Sequence, residues 1–460
     1  MAGMLKLRDA NVLLIKEFAN KNISISSLLL SLGIRQHKIV HLNSPTEALN
    51  RSFHQQFDIL ICDQSFRNGQ VKSQDLIFEL KKANAVDERS TIVMDCKRGF
   101  VRDRSYYLAD VHITPDDNQQ DISDLIRKVF KKKNKVWPLL QTENLDSHND
   151  IEKRYQFFER HYIDYQHDLR LNRANHHLLN RELKQASELY GVLIKEGGKR
   201  DSSVEISLFL NTLVLNGQTE EALELYEKFD STRFQLGQPF EEIGSLLLLK
   251  SGHVKQAYQL AARSGLQWGL SRVQHQILAL FAIGLGKYED ALVHFSSDLN
   301  AAKQINQNVV HSTLNYLFAL LMVWMRSEEG RILYEKKFAQ VLNEVSRLKM
   351  NESETQHFTL IQLHADFLKG ERQNAEASLD AFVRKLDKAN DIGKIHALFL
   401  STGLSDRENL AQILDHIKHN DSVFMFDPLP SLCAALVKHI DFQEFAKEMK
   451  RFHRTELSES

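Results

Sequence analysis

Six prolines and 19 glycines in 460 residues are too few for a loop-rich β architecture and favour long uninterrupted helices. Three cysteines, Cys62, Cys96 and Cys433, cannot build a disulfide framework, so a reducing compartment is the default. No apolar run approaches the roughly 20 residues of a membrane span. The stretch Val12–Ile15, followed by Lys16 and Glu17, is too short for a signal-peptide core. A cytoplasmic protein with no membrane span is expected. There is no Walker loop, no GxGxxG, no nucleophile elbow and no HExxH. His176, His177, His357, His364 and His396 lack metal-ligand spacing and read as surface or capping residues, so neither metal nor catalysis is expected of them.

What is present points to at least two domains, because 460 residues exceed what one hydrophobic core supports. The net charge of −1 is unevenly shared: residues 1–135 hold 22 Lys/Arg against 16 Asp/Glu, a net +6, and the remainder carries −7. Oppositely charged halves attract one another or recruit different partners. Neither is basic enough to imply nucleic-acid binding.

Residues 11–130 alternate short apolar runs with helical patterns. Strands are expected at 12–15, 38–42, 58–62, 91–94 and 111–113. Helices are expected at 25–32, 45–53, 74–82, 101–108 and 122–132. Five βα units with continuous apolar strands imply a doubly wound parallel sheet covered on both faces. Its ligand crevice lies beyond the carboxyl ends of the strands. Those ends carry Lys16-Glu17, Asp63, Asp95-Cys96 and Thr114-Pro115. A carboxylate ending the central strand, ringed by polar groups, is the layout of a phospho-acceptor served by a divalent cation.

This pattern resembles the response-regulator receiver family over about residues 10–133, and the segment FDILICDQ carries the likeness best. The resemblance implies that Asp63 is the phospho-acceptor position and that Glu17 and Asp63 are the Mg²⁺ ligands if the site is active. A histidine kinase would then be the phosphoryl donor. Three signature positions are altered. Lys16 replaces the first acid of the pair after strand one, Asp95 replaces the hydroxyl residue after strand four, and Thr114 replaces the lysine after strand five. The loop QSFRNGQVK also lacks the family's proline. Lys16 is expected to bring its ammonium near Asp63 and partly substitute for Mg²⁺. The chain is therefore read as a pseudo-receiver with no cofactor. Cys62 and Cys96, near the ends of adjacent strands, read as buried apolar residues. The run from Arg127 to Lys135, with six basic residues in nine, reads as a solvated helix end. Residues 134–150 read as a linker.

Internal repeats dominate the second half. Gly217, Gly252, Gly286 and Gly370 are each followed five residues later by alanine: Ala222, Ala257, Ala291 and Ala375. Four further on stand Tyr226, Ala261, Phe295 and Leu379. The first two glycine spacings are 35 and 34 residues, and the third, of 84, must hide a divergent pair. An earlier unit without the glycine fits Ala186 and Tyr190. A left-handed glycine ends the first helix, alanine lets the second pack close, and the next residue fills the seam. The period resembles tetratricopeptide repeats over residues 151–390, an all-α superhelical array, with residues 391–460 as capping helices. The resemblance implies a groove that holds a protein partner, with Trp268 and Trp324 among its candidate anchors. The function expected is a non-enzymatic bacterial signalling adaptor of two-component type, with a receiver-like module (1–133) regulating the array. The alternative is a working phosphorelay regulator phosphorylated on Asp63.

Overall fold

A computed structural model describes residues 5–17, 25–51, 56–96, 109–140, 148–196, 203–232, 237–326, 331–419 and 422–459. Five strands, β1 (Val12–Ile15), β2 (Ile39–Leu42), β3 (Ile59–Asp63), β4 (Thr91–Asp95) and β5 (Val111–Ile113), form one parallel sheet in the order β2-β1-β3-β4-β5. Between them lie helices α1 (Ile25–Ser31), α2 (Pro45–Asn50) and α3 (Ser73–Lys82), and α4 (Gln119–Leu140) follows β5. The helix expected at 101–108 lies outside the described residues.

Alternation along the strands divides two apolar layers. Leu13, Ile15, Leu60 and Cys62 face α2 and α3, packing with Ala48, Leu76, Ile77 and Leu80. Val12, Leu14, Ile59 and Ile61 face α1 and α4, packing with Leu28, Leu29, Ile122, Ile126 and Phe130. Because both faces are covered, the inner strands β1, β3 and β4 are largely apolar up to their carboxyl ends, which is why their alternation is invisible in the sequence. Ser44 starts α2 by accepting the Glu47 amide at 3.1 Å, with Pro45 in the first turn. The polar stretch after β3 is more ordered than the loop expected there. Ser65–Phe66 and Val71–Lys72 pair as a two-stranded antiparallel ribbon, turned through Arg67 and Gly69, both at positive φ. Helix α4 runs on to Leu140, so the segment read as a linker from residue 134 begins inside a helix.

The rest of the described chain is helical: α5 (His148–His161), α6 (Gln166–Leu179), α7 (Leu183–Glu196), α8 (Ser203–Leu215), α9 (Thr219–Thr232), α10 (Gln238–Lys250), α11 (Val254–Trp268), α12 (Arg272–Gly284), α13 (Tyr288–Ile305), α14 (Val309–Arg326), α15 (Arg331–Val345), α16 (Glu352–Leu368), α17 (Arg372–Val383), α18 (Asp391–Leu404), α19 (Arg407–His419), α20 (Pro428–Leu436) and α21 (Phe442–Glu459). None of the described helices is long and apolar enough to cross a membrane. Backbone contacts divide the chain into two compact units. One is Met1–Gly217 with Glu227–Phe240 and Gln304–Asn306; the other is Gln218–Tyr226, Glu241–Lys303 and Gln307–Ser460.

The repeated glycines sit where the spacing puts them, between helices and left-handed: Gly217 at φ +80°, Gly252 at +86°, Gly286 at +68° and Gly370 at +91°. At Gly252 the amide returns to the Leu249 carbonyl and that of His253 to Leu248, a Schellman closure. The same pair of bonds recurs at Gly286 and Gly370. It also recurs at Arg181, whose φ is +61°. Arg181 thus takes the glycine's place in the unit that lacks one. Ala186, Ala222, Ala257 and Ala291 are fully buried, as are Tyr190, Phe295 and Leu379. The divergent pair in the 84-residue gap is α14 and α15.

Residues 391–460 do more than cap. Helix α20 packs on α12 as well as on α18 and α19, and α21 packs on α14 and α18. Gly284 opens the way for α20, since a Cβ there would meet Leu436 Cδ1 at 2.5 Å.

Candidate functional site

The winding of the sheet reverses between β1 and β3, because β2 lies on one side of β1 and β3 on the other. Such a reversal leaves a crevice at the carboxyl ends of those strands, and the charged residues collect there. Lys16 follows β1, Asp63 ends β3, and Asp95, its register partner, ends β4. The Lys16 ammonium bonds directly to Asp95 Oδ2 and lies 3.7 Å from Asp63 Oδ1. Lys16 and Asp95 are buried, and Asp63 remains partly exposed. One cation therefore serves two carboxylates. The second Asp63 oxygen accepts the Glu17 backbone amide at 3.1 Å. Burial pushes the Asp63 carboxyl up to about 6 against the lowering effect of Lys16 and that amide.

The surrounding groups are committed elsewhere. Glu17 Oε2 accepts the Arg67 amide at 2.6 Å, and the Arg67 guanidinium donates to Thr46 Oγ1 at 3.2 Å. Thr114 donates its amide and its hydroxyl to Asp117 Oδ2, at 2.6 and 3.0 Å, in the turn leading toward α4. This donor set does not suit the divalent cation that the sequence resemblance implies. Mg²⁺ needs carboxylate oxygens free to converge with water in an octahedron. Here an ammonium already bridges Asp63 and Asp95, and Glu17 is tied to the ribbon turn. Among the described residues no cluster of three or more His, Cys, Asp or Glu could hold a metal.

Cys62 and Cys96 are buried free thiols. Burial, with Asp63 close by, raises the Cys62 thiol far above its ordinary value, leaving it an inert apolar group. Four of the six basic residues along α4 find partners within their own unit. Arg127 donates to the Ser31 carbonyl at 2.9 Å, Lys132 pairs with Asp168 at 2.6 Å, and Lys133 pairs with Asp110 at 2.7 Å. Lys135 lies 4.9 Å from the Tyr165 ring centroid.

In the second unit the histidines correct the sequence reading. His357, His364 and His396 are not surface residues: all three are buried, on α16 and α18. His364 Nδ1 meets His396 Nε2 at 2.8 Å, so one ring donates and the other accepts. His396 stacks on Phe318 of α14 at 4.3 Å and faces His357 at 5.6 Å between centroids. Both nitrogens of His357, Nε2 of His364 and Nδ1 of His396 have no hydrogen-bond partner. Burial drives all three toward the neutral form, His357 and His364 to about 3. The seven-residue spacing of His357 and His364, two turns of one helix face, was the signal available in the sequence. In the first unit His177 is also buried, between Glu182 at 2.5 Å and Glu152 at 3.3 Å, while His176 meets Asn180 at 3.1 Å. Trp324 is not a surface anchor either: it is 2% exposed inside α14. The Trp268 side chain lies outside the described residues.

No protein-family model, no curated protein and no solved structure matches the chain.

Proposed function

We propose that the chain is a non-enzymatic signalling adaptor of two-component type, in which a degenerate receiver-like module regulates a tetratricopeptide-like, protein-binding helical region. The observation that carries this reading is the Lys16 ammonium lodged between Asp63 and Asp95. Aspartyl phosphorylation needs a carboxylate free to attack and a divalent cation to neutralise the incoming phosphoryl oxygens. Lys16 supplies a fixed positive charge instead, and it is already neutralised by two carboxylates. Asp95, placed where the receiver family carries a hydroxyl, adds a negative charge beside any incoming phosphate. Strand order 2-1-3-4-5 and an aspartate ending the central strand support the receiver-like ancestry. The recurring left-handed turns with buried alanines support the repeat reading.

The test is incubation of the full chain with acetyl phosphate and Mg²⁺, followed by intact-mass measurement. The mass should stay unchanged. A stoichiometric gain of one phosphoryl group, lost in Asp63→Asn, would overturn the reading and identify a working phosphorelay regulator.

A further inference from the structure

Helix α14 is buried on all sides: every residue from Ser312 to Met325 is removed from solvent. A helix so placed needs cover on each face, and α21 supplies part of it. Phe445, Met449 and Phe452 are buried, spaced i, i+4 and i+7. Gln443, Lys447, Lys450 and Arg451 face solvent. Phe445 meets Phe399 of α18 edge-on at 4.7 Å, and Phe442 meets the same ring at 6.0 Å. Where α21 crosses α18 stands Gly403, whose Cβ, if added, would lie 3.4 Å from Met449 Cε. The Arg331 guanidinium sits 4.5 Å from the Phe452 ring centroid. Arg326 pairs with Glu448 while donating to the Gly286 carbonyl and lying over the Tyr288 ring at 4.6 Å. This is how an amphipathic helix is read by a groove: hydrophobic anchors on one face and an ion pair that sets the register.

We propose that the α14–α18 face is a helix-binding surface and that α21 is a displaceable resident on it. The partner it fits is an amphipathic helix of another protein. That helix presents an aromatic residue, a methionine or large aliphatic residue four positions on, and an aromatic three further on. A carboxylate stands one residue before the middle anchor, to meet Arg326. The proposal rests on the reading of the helical region as a partner-binding array, and adds that its surface is self-covered. A tethered resident competes at high effective concentration, so a partner in trans binds with a dissociation constant divided by the fraction of time the face is open.

The test uses the full chain and a labelled synthetic peptide of residues 441–460 as the probe. A full-chain Phe445→Ala, Met449→Ala variant should bind the peptide at least about tenfold tighter than wild type, the equivalent of ~1.4 kcal/mol. A peptide carrying the same two substitutions should not bind. Equal affinity of wild type and folded variant, or no binding to either, overturns the proposal. Should the variant not fold, hydrogen exchange on the wild-type chain decides. Excess unlabelled peptide should speed exchange across residues 442–459 and leave α14 protected; unchanged exchange there overturns the proposal. Acetyl phosphate labelling is independent of both readouts, so the adaptor reading and the resident-helix proposal fail separately.

Discussion

The carboxyl edge of the sheet and the packing layer of α14, α16 and α18 both bury ionisable groups, and they handle the cost in opposite ways. At the sheet edge the charges are kept and paired: Lys16 holds Asp95 directly and Asp63 at 3.7 Å. In the helical layer the charges are removed: His357, His364 and His396 stay neutral, with several ring nitrogens unpartnered. A paired site tolerates burial only while both partners remain. A neutralised site tolerates it only while the pH keeps the proton off. Each region is therefore vulnerable to a change that the other resists.

The largest expected effect is at the sheet edge. Lys16→Met leaves two carboxylates facing each other without a cation, and should destabilise the sheet unit by about 3–5 kcal/mol at neutral pH. Hydrogen exchange at β1 and β3 should rise while α14 stays protected. If β1 and β3 keep their protection, the ammonium is not what holds this edge together.

Acidification should separate the two regions by sign. The folded-state values of His357 and His364 lie below the ordinary histidine value, so the unfolded chain binds protons first as pH falls. Their stabilisation is complete above about pH 6.5 and is lost toward pH 3, at roughly 1.4 kcal/mol per pH unit for each histidine. Protection of α16 and α18 should fall between pH 6.5 and 5. His357→Leu should shallow that slope, since neither of its ring nitrogens has a hydrogen-bond partner to lose.

Asp63 runs the other way. Its folded value is raised to about 6, so the folded sheet unit binds a proton that the unfolded chain releases near its ordinary value. Its contribution is present at low pH and is lost as pH rises from about 4 through 6. The sheet edge should therefore tighten slightly on acidification from pH 7 to 5 while the helical layer loosens. Asp63→Asn should abolish that tightening, and Lys16 would keep its bond to Asp95. A parallel response of both regions would remove the distinction between them.

The smallest effect concerns the repeat turn without glycine. Arg181 holds a left-handed backbone that costs a side-chain-bearing residue about 1 kcal/mol. Arg181→Gly should raise stability by roughly 0.5–1 kcal/mol, read as a modest shift in denaturant midpoint. The reverse change at an existing turn, Gly252→Ala, should lower it by a similar amount.

Much of the architecture was legible because it is written in local chemistry. Continuous apolar runs marked the strands of a sheet buried on both faces, and four glycines with trailing alanines marked the helical turns. Element ends were less legible. Helix α4 continues past residue 133 to Leu140, because Trp137-Pro138 reads as a break locally yet lies within the helix. The ribbon at Ser65–Phe66 and Val71–Lys72 has too few residues to leave a periodic signal.

The sequence by itself determined the order of elements, the two-part organisation into a parallel sheet and a helical region, and which charged residues stand at strand ends. Those features depend on neighbours a few positions apart, where hydrophobic spacing and turn chemistry act directly. Only the tertiary structure decided that Lys16 bonds to Asp95, 79 positions away. It also decided that histidines on two helices meet in a buried layer, and that α20 and α21 return to cover α12 and α14. Helical periodicity shows that a residue faces inward without showing what it faces. That depends on how helices distant in sequence pack, and on the close approaches that glycines such as Gly284 and Gly403 permit.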